Sequence, residues 1–387
     1  MDASLHILMT ADAAGGVWNY AMELARALQP HGVRITLATM GCAPSAGQRA
    51  TVAQLGNLTL FVTDYALEWM SNPWDEVDAA GEWLLETEHR LQPDIVHLNG
   101  YALAALPWQA PAQVVAHSCV FSWWQAVKHG VPGADFAEYR TRVENGLNAA
   151  NLVVAPSAAM LEALDEHYAF TGERRVIPNA RDAAHFVPRK KLPIILSAGR
   201  VWDEAKNVKL LASIAPHLAW PVHIAGPRAC PQVAQTNEDD CHAADLGNHG
   251  YPAQRFANYL GPLTTTQLSA HLGAASIYAA PAYYEPFGLT VLEAALCGCA
   301  LVLSDIPSFR ENWDGAALFI PPDDAAAWVT ALNMLASDDA VRARFGQAAR
   351  SRGLRFTPRR MAAAYLESYR ALLGAHRGLE KREAVAA

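Results

Sequence analysis

Residues 283–307 decide the fold and read YYEPFGLTVLEAALCGCALVLSDIP. Glu285 precedes a proline, which disfavours helix at the residue before it, so we expect Glu285 on an extended loop with a free carboxylate. Gly288 allows the backbone to turn tightly or to approach a ligand closely. From Leu289 the apolar residues recur at helical spacing, and Gly298 is a suitable C-terminal stop for that helix.

The start of this helix is expected to bind an anion. Glu293 falls in or near the first helical turn, so two carboxylates, Glu285 and Glu293, flank the helix start. The first N–H groups of a helix have no intrahelical acceptor, and the helix dipole favours negative charge there. The amides of Leu289 and Thr290 therefore suit a diphosphate.

Length and charge set the limits for the rest of the chain. Its 387 residues exceed what one hydrophobic core usually serves, so two domains are expected. A hydrophobic share of 52% is sufficient for two buried cores. The net charge of −8 provides no basic excess to neutralise phosphates, which argues against a general nucleic-acid partner.

The sequence contains no pattern typical of export, and its cysteines do not indicate a metal site. No apolar run is long enough to cross a bilayer and the first residues lack a signal peptide pattern, so a cytoplasmic protein is predicted. The six cysteines include no Cys-x-x-Cys pair, and most are expected to be buried thiols. A metal site of Cys230, Cys241 and His242 is conceivable, but their spacing fits no standard pattern.

The first half alternates strands and helices. Residues 5–9 and 34–39 are predicted strands, with a helix over 17–28 between them. The glycine pair Gly15 and Gly16 before this helix is too short for a dinucleotide-binding fingerprint, and no acidic residue ends the second strand. These features argue against an oxidoreductase.

Polar side chains follow two further predicted strands, over residues 93–97 and 113–118. Because ligands bind beyond the carboxyl ends of strands in open α/β sheets, a site is expected near these residues. They are His97, Asn99, His117 and Ser118. We leave His97 open between a structural and a functional role. Later strands are predicted at 152–157, where Ser157 caps the next helix, and at 176–180.

The second half begins after a linker at residues 184–192. A buried strand then runs into a segment that contains Arg200 and Lys206, whose cationic groups suit a diphosphate. Gly226 ends another strand, and residues 227–251 are a long polar excursion. A last amphipathic helix is predicted over 360–373, followed by a frayed tail from Leu379.

The spacing of Glu285 and Glu293 within Glu-Pro-Phe-Gly-Leu-x-x-x-Glu-Ala resembles the signature of the retaining glycosyltransferases of the GT-B fold, often called family 4. The Gly-Arg…Lys-Asn segment at 199–207 and the order of the strands are similar to that family along nearly the whole chain. The resemblance implies an α/β protein of two Rossmann-like domains facing each other across a cleft. It places an acceptor-binding domain at 1–187, a nucleotide-sugar-binding domain at 188–360, and at 361–387 a C-terminal helix that packs back on the first domain, with a tail.

The resemblance also implies roles for individual residues. Glu293 holds the ribose hydroxyls of the nucleotide, and Glu285 holds the sugar or stabilises positive charge on its ring. His117 hydrogen-bonds a sugar hydroxyl, Gly16 lies near the donor phosphate, and Gly226 lines the base pocket. No Asp-x-Asp triplet occurs, so a metal-independent reaction is expected, with no cofactor besides the nucleotide-sugar co-substrate.

Several alternatives remain open at this stage. UDP is only a prior for the nucleotide, and the hexose-type sugar would pass to a hydroxyl acceptor, a small molecule or a glycan. A nucleotide-sugar epimerase or sugar phosphorylase of the same fold, or a non-catalytic nucleotide-sugar-binding protein, are the other hypotheses. Trp123 and Trp124 suit acceptor stacking or the core better than a membrane surface, because Lys128 is almost the only basic neighbour. The oligomeric state is not indicated.

Overall fold

The computed structural model describes residues 5–229 and 257–386, with side chains to residue 378. These residues form two compact units. One unit comprises Met1–Trp124, Gly130–Asn179 and Pro358–Ala387, and the other comprises Gln125–His129 and Ala180–Thr357. Each unit is built on its own sheet, in agreement with the two cores predicted from the length of the chain.

The first unit contains a parallel sheet whose central strands are buried on both faces, which explains their nearly continuous apolar sequences. Its strands are β1 (His6–Asp12), β2 (Arg34–Met40), β3 (Leu58–Val62), β4 (Ile95–Leu98), β5 (Ala112–Val115), β6 (Leu152–Ala155) and β7 (Arg174–Val176). The connecting helices are α1 (Gly16–Leu28), α2 (Ala46–Ala53), α3 (Trp74–Leu91), α4 (Val120–Lys128), α5 (Ala137–Ala149) and α6 (Ala158–Asp165).

The sheet of the second unit is also parallel. Its strands are β8 (Leu192–Ala198), β9 (Val222–Ala225), β10 (Ala257–Gly261), β11 (Ala275–Ala280), β12 (Ala300–Ser304) and β13 (Ala317–Ile320). The helices are α7 (Val208–Ile214), α8 (Thr265–Ala274), α9 (Leu289–Leu296), α10 (Pro307–Trp313), α11 (Ala325–Ser337) and α12 (Asp339–Gly353). The last helix, α13 (Pro358–Ala386), belongs to the first unit, where it packs on α1.

In both sheets the order of the strands changes direction beside the strand that comes first in the sequence. The first runs β3-β2-β1-β4-β5-β6-β7 and the second β10-β9-β8-β11-β12-β13. In doubly wound sheets of this kind, ligands bind outside the carboxyl ends of the strands at the switch point. The predicted α/β fold with two Rossmann-like sheets is confirmed, and the switch points lie at β1–β4 and β8–β11.

Several local predictions are confirmed. The helix predicted from Leu289 is α9, and Gly298 follows its end with a φ of 72°. Ser157 caps α6 by accepting a hydrogen bond from the Met160 N–H. Cys119, Cys297 and Cys299 are buried thiols, whereas Cys230, Cys241 and His242 lie outside the described residues.

Two element boundaries were predicted wrongly. The last strand of the first sheet is Arg174–Val176 rather than 176–180, because the apolar residues Ile177 and Ala180 are buried in the segment that leaves the sheet. The tail predicted from Leu379 continues α13 to Ala386, since this stretch contains neither glycine nor proline to stop the helix. Most of the excursion predicted at 227–251 lies outside the described residues.

Candidate active site

Glu285 lies on the loop between β11 and α9, where its carboxylate is held at both oxygens. Lys206 Nζ lies 2.6 Å from Oε2, and the Gly288 N–H donates to Oε1 over 3.1 Å. The prediction of a free carboxylate is therefore wrong. Lys206, which was predicted to bind a diphosphate, contacts Glu285 although the two residues are 79 positions apart in sequence. Both side chains remain about one-fifth exposed, at 18% and 19%, so a ligand can reach the pair.

The backbone of this loop is fixed from two sides. The Ser308 hydroxyl, at the start of α10, donates to the Glu285 carbonyl. The Tyr283 N–H donates to the carbonyl of Ala205 over 2.8 Å. These bonds hold the loop, and with it the Glu285 carboxylate, in one geometry. Ser308 was not identified from the sequence, because a serine near the start of a helix is normally interpreted as a helix N-cap.

The amino end of α9 begins at Gly288, whose φ of 86° few other residues adopt. No side chain caps this end, so the N–H groups of Leu289 and Thr290 have no capping acceptor. The Tyr278 hydroxyl donates to the carbonyl of Ala198 at the end of β8 and lies 2.9 Å from Thr290 Oγ1. Tyr278 therefore anchors the helix start beside the switch point of the second sheet.

Arg200 and Lys206 lie on the loop that follows β8. The Arg200 guanidinium pairs with Asp203 at 2.7 Å and keeps 44% of its side chain exposed. Asp203 is buried and also accepts from the Ala205 N–H, so it fixes the turn that leads to Lys206. Arg200 is thus a half-exposed cation at the carboxyl end of β8, with Lys206 bound to Glu285 on the same loop.

Gly226 ends β9 in close contact with the β8 loop. Its φ is 137°, and a Cβ at this position would lie 1.7 Å from the Gly199 carbonyl oxygen. Any other residue would therefore displace the loop that carries Arg200. This backbone contact alone explains why a glycine is required at 226, and the predicted place of Gly226 in a base pocket stays a prediction.

Glu293 is almost completely buried and forms an ion pair that the sequence did not suggest. Arg181 Nε lies 2.7 Å from Glu293 Oε1, and the two side chains are 8% and 4% exposed. Phe186 lies under the guanidinium, 5.0 Å from its carbon to the ring centre. Arg181 has no motif of its own and lies 112 positions from its partner, so only the folded structure connects them.

In the first unit, Gly16 begins α1 just beyond β1. Gly15 has a φ of 96°, and both glycines are exposed. The loop before them is fixed by the Asp12 carboxylate, which accepts from the Ala14 N–H, and by Gln48, which donates to the Ala13 carbonyl. The tight strand-to-helix turn is confirmed, and a contact with the donor phosphate stays a prediction.

His117 lies at the end of β5, next to Asn99 at the end of β4. Asn99 Nδ2 donates to the Thr10 carbonyl, which directs Asn99 Oδ1 towards His117 Nε2 at 2.7 Å. His117 Nε2 therefore carries the proton, and Nδ1 is left as an acceptor. Burial lowers the pKa of His117 to about 3, so the half-buried imidazole is neutral at pH 7.

His97 belongs to a buried structural network, which decides the role that the sequence left open. Its Nδ1 accepts from Gln113 Nε2 at 3.1 Å and lies 2.8 Å from the Tyr369 hydroxyl on α13, and its Nε2 lies 3.2 Å from the Tyr20 hydroxyl on α1. The Tyr20 ring meets the His117 ring edge-on at 4.6 Å. His97 is fully buried, and this burial lowers its pKa to about 3.

The pH dependence of stability follows from His97. Its folded-state pKa of about 3 lies below the ordinary value of 6.5, so the unfolded chain binds the proton first and stability is lost as pH falls below 6.5. We expect this residue to contribute a slope of about 1.4 kcal/mol per pH unit between pH 6 and pH 4. Urea unfolding of His97→Gln should show a slope shallower than that of the wild type by this amount. Equal slopes for the two proteins would contradict the assignment.

The described residues contain neither a metal-binding cluster nor a helix that could span a membrane. No group of three or more His, Cys, Asp or Glu side chains among them is arranged to hold a metal ion. Within the same residues, no helix combines the length and the apolar character that crossing a bilayer requires. Trp123 and Trp124 are half-buried in α4, and their role in acceptor stacking stays a prediction.

Comparison with known proteins identifies the family. The model described as Glycosyltransferase Family 4 matches residues 14–185, and that described as Glycosyl transferases group 1 matches residues 180–352. The chain belongs to this glycosyltransferase family, a retaining family of the GT-B fold, and is an enzyme that transfers sugar from a nucleotide sugar. The predicted family and enzyme class are confirmed.

Three relatives illustrate the similarity. The chain is 28% identical over 401 residues to the D-inositol 3-phosphate glycosyltransferase of Xylanimonas cellulosilytica, covering 92% of this chain and 91% of that protein. Its fold is similar to sucrose-phosphate synthase from Thermosynechococcus elongatus, with a TM-score of 0.77, 19% identity, and coverage of 96% and 100% of the two chains. It is also similar to Anabaena HepE in complex with UDP-glucose, with a TM-score of 0.71, 15% identity, and coverage of 95% and 100%.

Proposed function

We propose that the enzyme moves a hexose-type sugar from a nucleoside diphosphate sugar, UDP being the first candidate, to a hydroxyl acceptor with retention and without a metal ion. The observation that carries this proposal is the meeting of Glu285, Lys206 and the uncapped amino end of α9 at the switch point of the second sheet. A carboxylate, a cation and unpaired helix amides together match a sugar linked to a diphosphate.

The diphosphate is assigned to the cations and the helix end. Arg200 and Lys206 supply positive charge, and the N–H groups of Leu289 and Thr290 add donors at the positive end of α9. As the bond between C1 of the sugar and the phosphate oxygen breaks, negative charge grows on that oxygen. Groups that bind this charge more strongly in the transition state accelerate the reaction itself.

The sugar is assigned to Glu285. Glu285 stabilises the positive charge that develops on the ring, and Lys206, at 2.6 Å, orients its carboxylate. In the first unit, His117 is proposed to accept a hydrogen bond from a substrate hydroxyl at Nδ1, since its Nε2 is engaged by Asn99. The acceptor oxygen bonds to C1 while its proton passes to the departing phosphate oxygen, so the chain need not supply a separate base.

The acceptor is proposed to be a saccharide, a glycoconjugate or a related polyol. Because the Xylanimonas relative is a D-inositol 3-phosphate glycosyltransferase, the panel of acceptors to be tested includes D-inositol 3-phosphate. A nucleotide-sugar epimerase would instead turn over the donor without an acceptor. A non-catalytic binding protein would bind the donor tightly and neither hydrolyse nor transfer it.

The proposal is tested by nucleoside diphosphate release. A thermal-shift panel of UDP-, GDP- and ADP-glucose first selects the donor, since a ligand of the native state raises the melting temperature. With that donor and an acceptor panel, the wild type should release nucleoside diphosphate, and Arg200→Ala should lower kcat/KM at least about tenfold, the effect of one charge-assisted hydrogen bond. The exposed Arg359 provides the control, since Arg359→Ala should leave the rate unchanged.

Three outcomes would count against the proposal. Equal rates for the wild type and Arg200→Ala would remove Arg200 from the mechanism. Complete loss of activity in EDTA, restored by magnesium, would contradict the metal-independent reaction. Conversion of the donor to an epimeric nucleotide sugar, without an acceptor, would contradict the proposed reaction and favour the epimerase hypothesis.

A further inference from the structure

We infer that Arg181 is a positioning residue for nucleotide binding. It does not contact the ribose itself but holds Glu293, which binds the ribose hydroxyls. This inference rests on the proposed function and on the expectation, implied by the family resemblance, that Glu293 holds the ribose hydroxyls of the donor. Arg181 is not part of the Glu-Pro-Phe-Gly-Leu-x-x-x-Glu-Ala motif that contains Glu293. Arg181 is the second residue of the Ala180–Thr357 segment of the second unit, and its side chain is buried against Glu293.

The guanidinium is held in one place by its surroundings. Its Nε lies 2.7 Å from Glu293 Oε1, and the Phe186 ring lies 5.0 Å from its carbon. Phe186 is itself 2% exposed and belongs to the core of the second unit. Asp182, the next residue, caps the turn that carries Phe186 by accepting from the Ala184 N–H. Arg181 therefore presents a fixed cation to one oxygen of Glu293.

The consequence for Glu293 concerns its charge and its orientation. A buried carboxylate without a counter-ion is strongly destabilised in the charged form, and the protonated form has an O–H group that donates. The vicinal hydroxyls of ribose are best bound by a charged carboxylate, which can only accept. With Arg181 on Oε1, the carboxylate is paired with a cation and held in one orientation.

The position of Glu293 on α9 fits a ribose beside the proposed diphosphate. Glu293 is four positions after Leu289, so both lie on the same face of the helix, about one turn apart. One turn rises about 5.4 Å, a distance comparable to the separation of a nucleotide's phosphate from its ribose hydroxyls. The ion pair therefore lies one helical turn beyond the proposed diphosphate site, on the same face of α9, at a distance that suits the ribose.

The experiment compares the dissociation constants of UDP and 2′-deoxy-UDP by titration calorimetry in the wild type, Arg181→Gln and Arg181→Lys. The wild type should bind UDP at least about tenfold more tightly than 2′-deoxy-UDP, the effect of one hydrogen bond to a charged group. In Arg181→Gln this ratio should fall to within about twofold, and in Arg181→Lys to an intermediate value. The ratio between UDP and UMP, which reports the diphosphate contacts, should stay unchanged in both variants.

Arg200→Ala is the matched control. It removes a different arginine of the same unit and should weaken UDP and 2′-deoxy-UDP equally, leaving the ribose ratio at its wild-type value. A residue that only supports the fold would lower the melting temperature without changing the ribose ratio. Because Arg181→Gln can fail to fold, Arg181→Lys, which keeps the charge but moves it, then decides the question alone.

The outcomes separate this inference from the proposed function. A wild-type ribose ratio retained in both Arg181 variants overturns the role of Arg181 and leaves the transferase proposal intact. A wild type that binds both nucleotides equally overturns ribose binding at Glu293, again without affecting sugar transfer. If the thermal-shift panel selects GDP or ADP, the same ratios are measured with that nucleotide and its 2′-deoxy form. A wild type that binds no nucleoside diphosphate overturns both.

Discussion

Glu285→Gln is expected to lower kcat by about 10² to 10³, the usual cost of removing a preorganised electrostatic group from a transition state. The amide keeps the size of the side chain and can still accept from the Gly288 N–H, so the loop is conserved. What disappears is the negative charge facing the sugar and the partner of Lys206 at 2.6 Å. The expected loss is therefore in the rate of transfer, measured by nucleoside diphosphate release at saturating donor.

Binding and an exposed carboxylate provide the controls for this variant. The dissociation constant for the nucleoside diphosphate should change less than kcat, because Glu285 is assigned to the sugar. Glu367→Gln makes the same chemical change at an exposed ion pair with Arg175 and should leave kcat unchanged, since the Glu367 side chain is 73% exposed. A kcat for Glu285→Gln within threefold of the wild type would show that its charge is not used in the reaction.

The fold was predictable because its signals are local. Strands buried on both faces have continuous apolar sequences, and each loop after β1, β8 and β11 begins where such a run ends. Gly288 and Gly298 delimit α9 by backbone geometry that is readable one residue at a time. The boundaries that failed, at β7 and at the end of α13, lie where no glycine or proline marks the change.

The site was predictable only as far as its residues are part of a motif. Glu285, Glu293, Arg200 and Lys206 were identified because their chemistry and spacing are visible along the chain. Their pairing was not, because a contact between positions 206 and 285 depends on how β8 and β11 lie side by side. The expectation that Glu285 has a free carboxylate failed for that reason.

The residues that support the site were beyond prediction from one sequence. Ser308 acts on the Glu285 backbone and Tyr278 on Thr290 through hydroxyl groups whose partners are distant or ambiguous in sequence. His97 could not be assigned because a histidine at a strand end is equally consistent with a ligand contact and with a buried network. Its neighbour on α13, Tyr369, is 272 positions away.

Arg181→Met is expected to lower the free energy of unfolding by about 3 to 5 kcal/mol, because it leaves the charge of Glu293 buried and without its partner. Both side chains are under 10% exposed, at 8% and 4%, so water cannot solvate the remaining carboxylate. Urea unfolding of the ligand-free protein, with the transition of the second unit followed separately from that of the first, measures this loss.

The double variant Arg181→Met with Glu293→Met separates the loss of the ion pair from the loss of packing. Replacing both members of a buried pair by apolar residues of similar size is often neutral or stabilising, so most of the lost stability should return. The matched control is Arg175→Met, which breaks the exposed pair with Glu367 and should cost about 1 kcal/mol or less. If Arg181→Met were as mild as that control, Glu293 would not depend on Arg181 for its charge, and the buried pair would have no role in preparing the carboxylate for a ribose.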